Sequence, residues 1–406
     1  MFTNREVMAT VEKEITGYTS NKDHYYLIGN PLSSAISNST YSTPNTTSVG
    51  LVTSTSDYDL YQWSRTSEFE WSNYETSTFS LYNGTGYLYA NSTNVTLTFT
   101  GTVKANNTPE EKSLTYGTDV SGEETFKAWN LLANPFVCIA SVTCGDATNM
   151  AYYKMNGTGF EASTAPVNPM EGIFVHSNEE GSKTVTFSRY IPITNPGDGN
   201  LYINVAQIVN TRDAISATDN AIINFGHISP LETFSFREGS TKVYIPIDGK
   251  DYAVVNAEAQ GEMPVSFKAE KNGSYSLSFN IENVEFSYLH LIDNLTGNDV
   301  DLLETPSYNF EASTTDYASR FKLVFAANGE EGLSTDSGSF AFMSDGNLIV
   351  NNEGEATLQV IDVTGRVLKS ETINGCANVN VDGATGVYML RLINGDNMNV
   401  QKVVVR

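Results

Sequence analysis

Short stretches in which apolar and polar residues alternate recur along the whole chain, and Gly, Asn, Asp or Pro stands between them. Alternation with a period of two is typical of strands with one buried face, whereas helices repeat at about 3.6 residues. The segments "YSLSFNI", "ATLQVID" and "VYMLRLI" show this alternation. The pattern predicts an all-β protein of tandem antiparallel β-sandwich-like domains that ends in a small immunoglobulin-like β-sandwich.

Two continuous apolar runs share the same ending: "YYLIGNP" begins at Tyr25 and "WNLLANP" begins at Trp129. Their surroundings also match, because "EKEITGY" and "EKSLTYG" precede them, and a strand, a turn and a second strand follow each. Proline donates no amide hydrogen, so the Asn-Pro pair should end strand pairing. We interpret the match as a tandem repeat of a whole β unit, with the strands at Leu27 and Leu131 equivalent.

Changes in composition divide the rest of the chain. A stretch dense in Pro and Gly, "IPITNPGDGN", leads into a third alternating unit, and the polar, acidic run "NGEEGLSTDSGSF" predicts a flexible linker. The predicted segments are a first repeat lobe (1–108), a second repeat lobe (109–190), a third β-sandwich unit (191–327), a linker (328–340) and a C-terminal β-sandwich (341–406).

The charge balance narrows the classes of partner that the chain is expected to bind. The chain has 23 Lys and Arg against 47 Asp and Glu, a formal net charge of -24, which repels phosphate backbones and anionic lipids. We therefore expect no nucleic-acid partner. The sequence has no run of about 18 apolar residues, so we expect no transmembrane span, and the N-terminus lacks the apolar core of a secretory signal.

The last seventy or so residues carry three motifs in order: "LQVIDVTGRVL", "GVYMLRL" and a terminal "QKVVVR". They resemble the C-terminal sorting domain (type A) of proteins that the type IX secretion system of Bacteroidetes exports. The resemblance implies a small antiparallel sandwich that is recognised at the outer membrane and is commonly cleaved and replaced by a lipopolysaccharide anchor. Its motif residues would be Gly365, Arg366, Gly386, Val387, Tyr388, Lys402 and Arg406.

Aromatic residues supply the candidate ligand-binding positions. Aligning the two lobes places Tyr61 on Tyr153 and Phe69 on Phe160, as expected for shared core positions, and Trp63 on Met155. The same alignment places Trp71 on Ala162, a change of volume that a core seldom accepts. We therefore predict that Trp71 lies outside the core near Tyr74, where with Trp63 it could stack on sugars or anchor a protein. The alternative is an interlobe contact or a repacked core.

The cysteines, histidines and acidic loops give little indication of a disulfide, a catalytic site or a metal site. The spacing of Cys138 and Cys144 allows a disulfide, although the strain of a small ring disfavours it. Four histidines stand far apart, and no catalytic or metal-ligand motif is present, so we expect no enzyme, no cofactor and no metal site. Two acidic loops, "DYDLY" and "DGKD", could ligate calcium, but turn chemistry is the simpler explanation of both.

These observations predict an exported, outer-membrane-attached cell-surface protein with an adhesive or scaffolding role, whose last domain acts as the secretion and attachment signal. Its expected partners are the outer-membrane secretion and attachment machinery and a host or microbial glycan or surface protein. The alternative is a glycan-binding accessory portion of a larger polysaccharide-processing enzyme.

Overall fold

The fold is taken from a computed structural model. It describes residues 7–18, 24–41, 49–50, 58–64, 70–104, 108–116, 126–145, 149–157, 159–177, 183–191, 199–209, 218–235, 239–327, 340–344, 347–350, 352, 354–375, 377–380, 386–395 and 397–405. Within these residues the elements are strands, apart from one helix of four residues. The all-β prediction is confirmed.

The first repeat lobe contains eight elements, which are β1 (Val7–Ile15), β2 (Tyr25–Gly29), α1 (Asn38–Tyr41), β3 (Val49–Gly50), β4 (Tyr58–Trp63), β5 (Trp71–Asn73), β6 (Gly86–Asn91) and β7 (Val95–Val103). The second contains β8 (Glu110–Leu114), β9 (Trp129–Ala133), β10 (Ala140–Cys144), β11 (Asn149–Met150), β12 (Tyr152–Gly157), β13 (Phe160–Ser163), β14 (Gly172–His176) and β15 (Lys183–Arg189).

The two lobes have the same strand topology. In the first lobe β7 lies between β1 and β3, and a second set of strands runs in the order β5-β4-β6-β2. In the second lobe β15 lies between β8 and β10, and the corresponding set runs β13-β12-β14-β9. Leu27 pairs with Leu88 as Leu131 pairs with Phe174. The tandem repeat is confirmed, and the strands at Leu27 and Leu131 are equivalent.

The Asn-Pro pairs build the same turn in both lobes. The side-chain amide of Asn30 donates to the carbonyls of Ser34 and Leu81, both at 2.9 Å, and its oxygen accepts from the amide of Leu32 at 2.9 Å. The amide of Asn134 likewise donates to Cys138 (2.8 Å) and Val167 (2.9 Å), and its oxygen accepts from Phe136 (2.9 Å). In each lobe a buried asparagine side chain thus makes three backbone hydrogen bonds beside the point where proline ends the strand.

The lobes join through their backbones in one compact unit, which comprises residues 1–194, 227–236 and 252–255. β2 pairs with β12, so the two sets of strands continue as one sheet. The junction is nearly symmetric, because the amide of Gly29 donates to Met170 and the amide of Ala133 donates to Gly84, both at 3.1 Å. A Cβ on Gly86 would lie 2.7 Å from the side chain of Leu131. The junction therefore depends on close backbone approach.

The next stretch of chain contains β16 (Asn200–Gln207), β17 (Thr218–Asn224), β18 (Ile228–Ser229), β19 (Leu231–Glu232), β20 (Lys242–Ile247), β21 (Lys250–Asn256), β22 (Gln260–Lys268), β23 (Gly273–Glu282), β24 (Phe286–Asp293), β25 (Asn298–Asp301), β26 (Ser307–Ala312) and β27 (Phe321–Ala327). A second compact unit comprises residues 195–226, 237–251 and 256–406. In it, strands run in the orders β17-β16-β23-β26 and β25-β24-β27-β22-β20. The five-segment division of the chain stays a prediction.

A buried ion pair anchors the second unit. The guanidinium of Arg320 contacts both carboxylate oxygens of Asp293, at 3.0 and 2.8 Å, and both side chains are almost fully buried. Arg320 also donates to the carbonyl of Glu311 at 2.7 Å and lies over the ring of Phe310. Burial alone would raise the pKa of Asp293, but hydrogen bonds from Arg320 and Tyr308 outweigh it and hold that pKa below its usual value.

A second carboxyl group of this unit titrates unusually. Asp219 in β17 accepts a hydrogen bond from the amide of Val243 at 2.9 Å. Burial raises the pKa of Asp219 to about 7, although that hydrogen bond and the positive charge of Lys242 oppose the rise.

The C-terminal module has two layers. One layer is β28 (Ala341–Ser344), β29 (Asn347–Val350) and β32 (Ala377–Asn380), and the other is β30 (Glu355–Asp362), β31 (Val367–Asn374), β33 (Gly386–Asn394) and β34 (Asn397–Val405). The four-stranded layer has the order β31-β30-β33-β34. Alternate residues of its strands, including Leu358, Tyr388 and Leu390, enter the core between the layers. The sandwich-like end of the chain matches the sequence pattern.

Candidate functional site

The turn between β30 and β31 is held by one carboxylate. Asp362 accepts hydrogen bonds from the Thr364 amide (2.9 Å), the Thr364 hydroxyl (2.6 Å) and the Arg366 amide (3.0 Å), and it contacts Nε of Arg366 at 3.1 Å. These hydrogen bonds, that of the Thr364 hydroxyl first, lower the pKa of Asp362 to about 2. Gly365 has a φ of 85°, a conformation that favours glycine. The motif residues Gly365 and Arg366 therefore form one Asp-centred turn.

The second and third motifs form adjacent strands. Tyr388 of β33 is buried in the core of the module, whereas Val387 faces outward and is 37% exposed. Gly386 starts β33 and pairs with Val405 of β34. Met389 pairs with Lys402, and the side chain of Lys402 is exposed. Arg406 lies outside the described residues.

Gln401 closes the module. Its side-chain oxygen accepts from the amides of Phe340 (2.6 Å) and Ala341 (2.8 Å), and its amide donates to the carbonyl of Ala341. These bonds tie the last strand to the first residues of the module. Sequence reasoning missed both Gln401 and Asp362; for Asp362 the signal was present, since an Asp two residues before Thr-Gly favours a turn in which its side chain accepts from the backbone two residues on.

The predicted ligand-binding rings do not form one group. Trp63 and Trp71 pack edge to face with ring centroids 5.0 Å apart, and the Trp63 ring also meets Phe174 at 5.1 Å. Tyr74 instead stacks on Tyr58, at 4.6 Å, against the core of the first lobe. The structure brings Trp63 and Trp71 together and places Tyr74 in another cluster.

The alignment that singled out Trp71 is wrong by two residues. Trp71 pairs with Trp63, and in the second lobe Phe160 pairs with Met155, which is the equivalent of Trp63. Trp71 therefore corresponds to Phe160, and Ala162 corresponds to Asn73. A large ring is present at this position in both lobes, so the change of volume on which the argument relied does not exist. Phe69 lies outside the described residues.

Trp63 also lines an open hollow of about 320 Å³ in the tandem-lobe unit. The other lining residues are Ser64, Thr85, Gly86, Thr115, Asn130, Leu131 and Leu132. The indole N–H of Trp63 donates to the carbonyl of Trp129 at 3.1 Å. The side-chain oxygen of Asn130 accepts from Thr115, and its amide donates to the carbonyls of Thr115 and Ala128. The hollow thus has the ring of Trp63 as an aromatic wall, and the side-chain amide of Asn130 is already hydrogen-bonded within the fold.

The cysteine pair is not bridged. Cys138 and Cys144, both half-buried, are thiols in the structure. Ala140–Cys144 is an extended strand, which separates its ends by about 13 Å at 3.3 Å per residue. A disulfide needs Cα atoms roughly 4.4–6.8 Å apart, and the extended strand β10 carries Cys144 away from the segment that holds Cys138, which disfavours the bridge that the spacing allowed.

The residues proposed for calcium lie in different settings. Asp248 has a φ of 51° and Gly249 a φ of 80°, as a two-residue turn between β20 and β21 requires. Asp59 accepts from the hydroxyl of Tyr25 at 3.3 Å, and Asp57 lies outside the described residues. Within the described ranges, no group of three or more His, Cys, Asp or Glu side chains could hold a metal ion.

The histidines are also apart. His176 packs on the ring of Trp129 at 4.8 Å, and His290 stacks on Tyr288 at 4.1 Å. His290 also meets Asp299, with Nδ1 and the carboxylate oxygen 2.7 Å apart. His24 has a φ of 68° before β2.

Comparison with known proteins identifies the family of the C-terminal module. Residues 344–406 match the family model of the secretion system C-terminal sorting domain. No curated protein matches the chain. A solved structure titled "Biofilm associated protein - BSP domain" is similar at 9% identity over 98% of this chain and 96% of its own, with a TM-score of 0.17. Among the described elements, no helix has the length and apolar character needed to cross a membrane. Residues 344–406 are thus a type IX secretion C-terminal sorting domain, and the protein is exported and attached to the cell surface.

Proposed function

We propose that this cell-surface protein has an adhesive or scaffolding role and that its C-terminal domain serves as the signal for secretion and attachment. The observation that carries the proposal is the continuity of the two repeat lobes. β2 and β12 pair across the repeat, and the buried turns at Asn30 and Asn134 lock each lobe beside the junction. A body with a continuous backbone ladder resists bending and local opening better than two linked domains would. Stiffness of this kind suits a protein that bears load or holds partners apart at a surface.

We further propose that the chain is not an enzyme. The side-chain amide of Asn130 beside the aromatic hollow supports this proposal, because its hydrogen bonds go to Thr115 and Ala128. Reactions in such hollows need groups that remain available to a substrate.

The adhesive role is tested in the producing cells. A strain without this chain should attach less to surfaces and to neighbouring cells than its parent, and purified full-length chain should compete with the parent's attachment. Unchanged attachment in the deletion strain, together with no competition, would reject adhesion. The proposal would then reduce to scaffolding, which predicts altered surface retention of neighbouring proteins in the same strain.

A second candidate is a glycan-binding accessory portion of a larger polysaccharide-processing enzyme. The hollow beside Trp63 favours it, because an aromatic wall next to hydroxyl-bearing residues suits sugar rings. Full-length chain on a glycan array should bind sugars, and Trp63→Ala should reduce the signal at least tenfold. Tyr82→Ala removes a largely exposed ring that does not line the hollow, and it is the matched control. Equal binding by both variants would place any sugar contact elsewhere.

A further inference from the structure

Three cross-strand rows span all four strands on the outward side of the four-stranded layer in the sorting domain, and they are here called the outer face. Residues that alternate with the core positions point away from the core. The hydrogen-bonded register aligns them across β31, β30, β33 and β34. The rows are Val367–Ile361–Met389–Lys402, Ser370–Gln359–Arg391–Val400 and Thr372–Thr357–Ile393–Met398.

The chemistry of the outer face differs from that of the chain. Its twelve positions hold six aliphatic or methionine residues, four uncharged polar residues, two cations, Arg391 and Lys402, and no carboxylate. Glu355, opposite Asn374, follows the last row on the same side of β30 and is the nearest carboxylate along that strand. The chain as a whole has 47 Asp and Glu against 23 Lys and Arg. Three of the apolar members are exposed, because Met398 is 59%, Val400 47% and Val367 44% accessible, and the other three are half-buried. A cationic, apolar patch on an acidic protein is a feature that solubility alone would disfavour.

The middle row holds one cation in a fixed direction. Nε of Arg391 donates to the side-chain oxygen of Gln359 at 2.8 Å, and a second guanidinium nitrogen contacts the same oxygen. The amide of Gln359 in turn contacts the hydroxyl of Ser370 at 3.5 Å. A pre-oriented guanidinium loses less freedom on binding a carboxylate than a mobile one would.

The size and charge of the outer face decide between occupants. Four strands and three rows cover roughly 400 Å², about half of what each partner contributes to a stable complex. A second copy would bring two cations against two cations. A lipid surface is less well matched, because the face has no aromatic ring and two cations attract anionic lipids only weakly.

We propose that the outer face is the docking surface for a protein partner that presents carboxylates around an apolar centre, and that this contact is transient. The inference rests on the proposed role of the domain as a secretion signal, and it assigns the recognition to the outer face rather than to the turn at Gly365 or to the module's core. A contact of this size suits a cargo that must be released after it has been recognised.

The test compares substitutions in cells that produce the full chain. Val400→Asp places a carboxylate at the edge-strand end of the middle row, beside Arg391, and Lys402→Glu reverses a charge at an exposed position that can accept either sign. Val363→Asp is the matched control, since Val363 is 76% exposed in the turn outside the three rows. Thermal unfolding of each purified chain checks that the module remains folded.

We expect Val400→Asp and Lys402→Glu to reduce the fraction of chain on the cell surface at least fivefold, and Val363→Asp to leave it within twofold of the parent. Equal export of all three variants, or equal loss in all three, would overturn the outer face as the docking surface. Two further results would overturn it. One is that the variants lose export in proportion to their loss of binding to phosphatidylglycerol vesicles. The other is that the parent chain dimerises as its concentration rises and that Lys402→Glu abolishes this dimerisation. Normal export of a chain that lacks residues 340–406 would instead refute the role of the domain itself.

Discussion

Replacing Asn134 by Ala should destabilise the tandem-lobe unit by about 3 kcal/mol. The side chain is fully buried and makes three hydrogen bonds to backbone groups, each of which contributes roughly 1 kcal/mol. After truncation, the carbonyls of Cys138 and Val167 and the amide of Phe136 lose a buried partner. In a unit of 150–250 residues, such a loss lowers Tm by about 6–12 °C.

The assay follows from where the fluorophores lie. The chain has three tryptophans, Trp63, Trp71 and Trp129, and all three belong to the tandem-lobe unit, so tryptophan emission in urea reports on that unit alone. Asn30→Ala should cost a similar free energy, because Asn30 makes the equivalent three bonds. Asn168→Ala is the control at an exposed asparagine, with an expected change below about 0.5 kcal/mol.

The reasoning would be refuted by either of two results. A loss below about 1 kcal/mol in Asn134→Ala would mean that the turn does not depend on the side chain. A large loss in one variant beside a negligible loss in its repeat partner would mean that the two turns are alike in geometry and unlike in energetics.

Further substitutions test separate parts of the fold. Arg320→Met should destabilise the second unit by about 3–5 kcal/mol in calorimetry, because it leaves the buried Asp293 carboxylate without its cationic partner, and a change below 1 kcal/mol would contradict this. Gly172→Val should lower the tryptophan-monitored midpoint, since a Cβ would lie 2.9 Å from Leu27; an unchanged midpoint would show that the junction adapts. Trp71→Phe should cost less than about 1 kcal/mol and Trp71→Ala about 2, since the half-buried ring has Phe160 as its counterpart, and equal costs would contradict this assignment. The folded pKa of Asp219 lies near 7, above its unfolded value, so the folded state binds more protons between about pH 4 and 7. The free energy of unfolding should therefore fall as pH rises over that range. Asp219→Asn should flatten this dependence of the unfolding free energy on pH, and an unchanged dependence would exclude Asp219 as its source.

The repeat could be predicted because its marks are local. An apolar run followed by Asn-Pro occurs twice, and the structure shows a shared role: the side chains of Asn30 and Asn134 each tie the chain around the proline to buried backbone groups. The sorting-domain turn is local as well, since Asp362, Thr364, Gly365 and Arg366 lie within five positions.

The register of Trp71 could not be predicted in the same way. The segment between β4 and β5 covers residues 64–70, whereas β12 and β13 are separated by residues 158–159 only. The two hairpins therefore differ in length at the turn, and a slip of two residues keeps every side chain on the same face of a strand. Alternation alone cannot detect such a slip, so only the pairing of Met155 with Phe160 reveals it.

The long-range contacts between the lobes are the other feature that could not be predicted from the alternation of apolar and polar residues. The pairing of β2 with β12 joins residues more than a hundred positions apart, and the close approach of the two lobes beside it shows in the sequence only as Gly29, Gly86 and Gly172. Glycine in a strand is compatible with a bulge, a bend or a close neighbour, and the sequence does not distinguish among them.

The dependence of surface display on the C-terminal domain tests the account most directly. The full chain and a chain that ends at residue 339, both with the same N-terminal epitope, are produced in the native cells, and the fraction that external protease removes from intact cells is measured. Tryptophan emission checks that the tandem-lobe unit of the shorter chain is folded. The account predicts that most of the full chain is removed and that the shorter chain is protected inside the cell; equal removal of a folded shorter chain would contradict it.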